Sequence, residues 1–223
     1  MFGLAGFGIG LVALAFLPFL MPPSAAVVLM TLYTVVFVLP LFWPLRRDFV
    51  ATGMLALLVG TVLGTPLGVW LLATLPATVL NRLIGLVLVV IVALEWLGAY
   101  PQRLTGRLWG WAAGIAAGVI GGAVGTPGPP VILYMSAQGW SPRTIKANLQ
   151  AFFLVNQSVI LAGYWWAGLL TAEVGRLALV FALPAVGGLV LGMRLFDRVD
   201  HVRFRQLVFA LLFVSGLALL VRG

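Results

Sequence analysis

Gly121-Gly122-Ala123-Val124-Gly125-Thr126-Pro127-Gly128-Pro129-Pro130 interrupts an apolar run that extends from Leu108 to Met135. Three prolines within four residues, set among glycines, cannot lie inside a regular helix. The flanks are nevertheless too apolar for a surface loop. Lipid offers no partner to freed N–H and C=O groups, so broken backbone at membrane depth must be buried in protein or line a cavity. Transporters hold substrates at breaks of this kind.

The rest of the chain fits a membrane setting. Apolar residues make up 63% of the 223 and charged residues 8%, a balance that no soluble domain of this size needs. Apolar runs cover about 3–21, 24–44, 50–75, 79–98, 108–136, 144–169, 174–196 and 204–221. About 20 residues span a bilayer core, so eight segments are expected and no soluble domain.

The break has an earlier counterpart. Gly3-Leu4-Ala5-Gly6-Phe7-Gly8-Ile9-Gly10 aligns with residues 122–129 at an offset of 119 (122 − 3), and the same offset sets Pro23 on Pro142. Gly64 and Gly68 meet Gly188 and Gly192 at an offset of 124 (188 − 64). The expectation is an all-α integral membrane protein made of two tandem repeats, 1–98 and 108–223, forming one membrane domain. Each repeat holds about four apolar segments, the first broken or re-entrant, with irregular backbone over residues 6–10 and 125–130.

Charge decides between topologies. If all eight segments cross, the 13 basic residues divide almost evenly between the two sides. If the first and fifth enter and leave on one side, only Arg82, Arg176 and Arg222 are separated from the other ten. Basic residues in short loops favour the cytoplasm. Three full crossings per repeat then invert the second repeat relative to the first. A multi-pass protein of the inner membrane is expected, with both termini outside the cytoplasm.

Several function classes are excluded. The chain has no cysteine and one histidine, His201, in a charged loop; no metal or cofactor site is expected. An enzyme is not expected, because nothing pairs a nucleophile with a base. The net charge of +8 lies in the connections, as orientation signals do, so nucleic acid is a poor partner. The expected partners are the bilayer and a small anion, with a homodimer left open.

The paired motifs resemble the sulfite exporter TauE/SafE family of permeases. The first copy runs on through Leu11-Val12-Ala13-Leu14-Ala15-Phe16-Leu17-Pro18. The second starts at Gly118 and ends Pro129-Pro130-Val131-Ile132-Leu133-Tyr134. The resemblance spans nearly the whole chain and implies transport of sulfite, sulfonates or related organosulfur anions. A non-transporting helper subunit or an ion channel is the alternative.

Candidate binding residues follow from chemistry. Gly125, Thr126 and Gly128 offer backbone N–H groups, as does Val124; Thr126 adds a hydroxyl; Pro127 fixes the path. Gly6, Gly8 and Gly10 form the weaker half-site. Lys146, Gln150 and Gln157 fall within about 40° of one another on a helix, a polar stripe with a cation at one end. Thr31 stands opposite Gln150 at the 119 offset. Gly114 and Gly118, four apart, suit close helix packing instead, and Asn148 and Asn156 read as structural. Trp109, Trp111, Trp140, Trp165 and Trp166, near segment ends, read as interface anchors.

Overall fold

The computed structural model describes residues 8–98, 106–195 and 200–222. Each regular element among them is helical. They are α1 (Gly8–Leu20), α2 (Pro23–Phe42), a 3-10 turn (Trp43–Asp48), α3 (Met54–Thr74), α4 (Ala77–Trp96), α5 (Arg107–Val124), α6 (Gly128–Ser136), α7 (Pro142–Trp166), α8 (Ala172–Leu195) and α9 (His201–Arg222). The apolar runs of the sequence become these helices with small shifts of boundary, and the fifth run becomes two, α5 and α6. Among the described residues, α2 with its 3-10 extension, α3, α4 and α5 are long and apolar enough to cross a membrane. The outward surface is apolar too: Leu183 is 85% exposed and Leu179 79%. Water would not tolerate such a surface, but lipid does. Trp165 and Trp166 are exposed at the end of α7, where an aromatic belt is expected, whereas Trp140 packs inward beside Gly53.

Local chemistry sets the helix starts. Pro23 and Pro142 sit in the first turns of α2 and α7, where a missing N–H costs nothing. Ser141 caps α7, its hydroxyl accepting the Thr144 N–H at 3.1 Å. Gly8, Ile9 and Gly10 form the first turn of α1, so the irregular backbone expected over residues 6–10 is not found at 8–10. A helix carries glycine at a cost of about 1 kcal/mol per residue, and neighbouring helix can offset it. Gly3 and Gly6 lie outside the described residues.

The tightest helix contact among the described residues joins α3 to α5. Gly60, Gly64 and Gly68 face Gly114, Gly118 and Gly122, backbone against backbone. A Cβ added at Gly60 would lie 2.6 Å from the Trp111 carbonyl oxygen, and one at Gly122 2.9 Å from the Val69 nitrogen. The register rises in step along both helices, so they run parallel. The packing role expected for Gly114 and Gly118 is met here.

α6 turns back along α5. A Cβ at Gly110, early in α5, would lie 3.1 Å from the hydroxyl of Tyr134, near the end of α6. One at Gly53 would lie 3.2 Å from the same hydroxyl. The start of α3, the start of α5 and the end of α6 thus meet at one end of the bundle. Arg143 Nε binds Asp48 Oδ2 at 2.7 Å, and the Val50 N–H donates to Asn148 Oδ1 at 2.9 Å, which brings the 3-10 turn and the start of α7 to that same end. At the opposite end, Arg222 lies over the Phe19 ring, 5.4 Å from its centroid. Leu75, Leu80, Leu169 and Leu170 gather in one cluster there.

Candidate functional site

Gly125 ends α5. Its φ of 73° is the left-handed region that glycine reaches without strain, and its N–H returns to the Gly121 carbonyl at 2.8 Å. Pro127 then resumes helical dihedrals, and α6 begins at Gly128. Pro129 and Pro130 fall in the first turn of α6, where helix geometry tolerates them. The interruption is therefore short: three residues, 125–127, lie between the two helices.

Only part of the expected donor set remains available. Val124 is helical, and the Gly125 N–H is bound to Gly121. Thr126 N–H and Gly128 N–H make no hydrogen bond among the described residues. Thr126 Oγ1 is also without a partner, and the residue is only 4% exposed. Buried polar atoms nearly always find partners, so such a group marks a place for water or ligand. Pro127 and Gly128 are buried beside it.

Three other elements surround the break. A Cβ at Gly125 would meet Val27 Cγ1 at 3.3 Å and Leu14 Cδ1 at 3.5 Å, so α1 and α2 flank it. A Cβ at Gly121 would lie 2.9 Å from both Ile160 Cδ1 and Pro127 Cβ, which sets α7 on the third side. Gln157, one turn before Ile160, is 2% exposed with Oε1 unpartnered. Gln150 is fully buried, and neither of its amide atoms has a partner. Thr31 is different. It is fully buried, and its hydroxyl donates to the Val27 carbonyl at 3.0 Å. Gly8 and Gly10 are in the first turn of α1, and Gly6 lies outside the described residues.

The two asparagines of α7 tie helices together, as their reading as structural residues anticipated. Asn148 accepts from Val50, and Asn156 Nδ2 donates to Thr61 Oγ1.

The family model for "Sulfite exporter TauE/SafE" matches residues 1–219. The chain belongs to the sulfite exporter TauE/SafE family. No curated protein and no solved structure matches it. This member of the TauE/SafE family is a membrane protein of a permease family, with its Gly/Pro motif at the junction of α5 and α6.

One residue beside the break of this TauE/SafE family member was not among the candidates of the sequence. The Tyr164 hydroxyl, fully buried, donates to the Gly122 carbonyl at 2.7 Å. It satisfies a carbonyl that the end of α5 leaves free. A signal was present: Tyr164 lies seven residues beyond Gln157, two turns along the same face. Tyr164→Phe is expected to lower stability by about 1 kcal/mol, the usual scale for interhelical hydrogen bonds in membranes. Thermal unfolding in detergent measures it.

Proposed function

We propose that this chain is a secondary transporter for a small sulfur oxyanion, sulfite or a sulfonate, bound at residues 125–128 in the inner membrane. The observation that carries this reading is the set of unpartnered donors there: two backbone N–H groups and a hydroxyl, buried at a helix break. An anion leaving water must replace its hydration shell, since an unpaired buried charge is very costly. Free backbone N–H groups at a helix start accept negative charge well. Gln150 and Gln157 supply further donors from α7. Membership of a family described as a sulfite exporter supports the choice of anion.

Alternating access is the proposed mechanism. The two repeats are residues 1–98 and 108–223; within them α1 to α4 correspond to α6 to α9, each a short helix followed by three long ones, and α5 is the first limb of the second repeat's broken segment. Three crossings between equivalent elements invert one repeat relative to the other. The pairing of α2 with α7 and of α4 with α9 supports this plan: a Cβ at Gly85 of α4 would meet Gly216 of α9. The return of α6 toward Gly110 supports a re-entrant hairpin. The end carrying Arg46, Arg47 and Arg143 is then cytoplasmic. Cysteines placed singly at 46 and 143 are expected to label from the same, cytoplasmic side with an impermeant reagent. Labelling from opposite sides removes the inverted plan.

The functional test is uptake of labelled sulfite or a sulfonate into proteoliposomes, beside amino-acid and cation controls. Uptake of the anion, competed by unlabelled anion, is expected. Thr126→Ala should lower it by about 3- to 10-fold, the net scale of one hydrogen bond. Movement of cations or neutral solutes alone would overturn the proposal.

A further inference from the structure

Four residues of α7 share one face: Lys146, Gln150, Gln157 and Tyr164 lie within about 40° of one another at helical spacing. The two ends of this row differ. At the far end Tyr164 is fully buried and bound to the Gly122 carbonyl. At the near end Lys146 is half-buried and makes no ion pair among the described residues. Asp48, an acid near that end, binds Arg143 instead. Between the ends stands Gln150, with neither amide atom satisfied, and then Gln157 with Oε1 free. Asn148 and Asn156, on another face of the same helix, each have one amide atom bonded to a neighbouring element. Gln150 is the amide of this helix with both of its side-chain polar atoms buried and unpartnered.

We propose that this face of α7 is the anion's path through the protein, with Lys146 selecting negative charge at its mouth and Tyr164 closing the far end. The proposal rests on the anion-transport reading above. An ammonium is a compact charge with three donors on a flexible stem, so it draws an oxyanion out of water and releases it again. Gln150 lies one turn further in and offers the next donors. Gln157 follows about 10 Å beyond Gln150, beside the break that carries Thr126. A small anion would thereby exchange one set of hydrogen bonds for the next. Arg143 does not share this role, because its guanidinium is held by Asp48.

The chain has no native cysteine, so single thiols report cleanly. Gln150→Cys is placed in the native chain and in Lys146→Gln and Lys146→Arg backgrounds, each judged folded by a single symmetrical elution peak. Reaction rates are measured with two methanethiosulfonate reagents, the anionic ethylsulfonate and the cationic trimethylammonium form. Each is scaled to its rate on a free thiol. The anionic reagent is expected to be favoured by about tenfold, the scale of local electrostatic focusing. The preference should vanish in Lys146→Gln and persist in Lys146→Arg. Val155→Cys, on the exposed side of α7, should show no preference. If Gln150→Cys fails to fold, Gln157→Cys reads the same ratio. An unchanged preference without Lys146, or a thiol at 150 that never reacts while one at 146 does, overturns the path. These rates need no transport. A lysine-dependent preference without sulfite uptake would keep the path and remove the cargo, whereas uptake without the preference would remove the path alone.

Discussion

Gly64→Leu is expected to yield no folded protein, while Gly188→Leu, its match at the sequence offset of 124 (188 − 64), is expected to fold normally. The difference lies in what each Cβ would meet. At Gly64 the new atom collides with the backbone carbonyl of Ile115 and lies 3.1 Å from Ile115 Cα. Backbone in a packed helix cannot rotate aside as a side chain can. The whole α3–α5 contact would have to separate, at Gly60 and Gly68 as well as at Gly64. Overpacking a core by a methylene or two costs about 1–3 kcal/mol. Four carbon atoms driven into backbone exceed that, against a total stability of about 5–15 kcal/mol. Gly188 has nothing within 4 Å of its Cβ position. Leucine there gains up to about 1 kcal/mol of helix propensity over glycine. Size-exclusion profiles in detergent and thermal unfolding compare the two. A monodisperse Gly64→Leu with wild-type melting would show that α3 and α5 do not approach this closely.

Gly125→Leu is expected to fold and to transport nothing. Its Cβ would enter the space bounded by Val27 and Leu14, and the rest of the side chain would fill the place where the anion meets Thr126 and Gly128. The positive φ adds about 1–2 kcal/mol of strain for a residue other than glycine. Gly139→Leu separates the two effects, since Gly139 has a similar φ of 70° but open space around it. Both variants should carry the same backbone strain, with Gly125→Leu losing somewhat more stability through its contacts with Val27 and Leu14, and only Gly125→Leu should lose sulfite uptake in proteoliposomes. Wild-type uptake by folded Gly125→Leu would move the site elsewhere.

Much of the candidate site could be read from residue type and spacing. The glycines and prolines of residues 121–130 announced an interruption, because neither residue suits a helix interior. Gln150 and Gln157 announced a buried face, because lipid cannot satisfy an amide. The repeat offset was less informative in detail. It set Thr31 opposite Gln150, yet the Thr31 hydroxyl is engaged by the Val27 carbonyl of its own helix. An offset compares positions in two copies and does not say which side chains meet when the copies pack. The expected break at residues 121–130 also made Val124 and Gly125 free donors. The helix continues one residue further and Gly125 closes it, so those two N–H groups are spent within α5.

The sequence by itself determined that this is a helical membrane protein, where its helices lie and where one of them breaks. These properties follow from local rules: segment length against bilayer thickness, the φ of proline and glycine, and the cost of polar groups in lipid. Only the tertiary structure decided which glycines meet. Gly64 and Gly68 match Gly188 and Gly192 in sequence, yet Gly64 and Gly68 are pressed against α5, while Gly188 is open. Helices in lipid gain no hydrophobic energy by choosing one partner over another, so close packing makes the choice. That packing depends on the shape of both surfaces, and a one-dimensional pattern records the glycines of each without recording the pair.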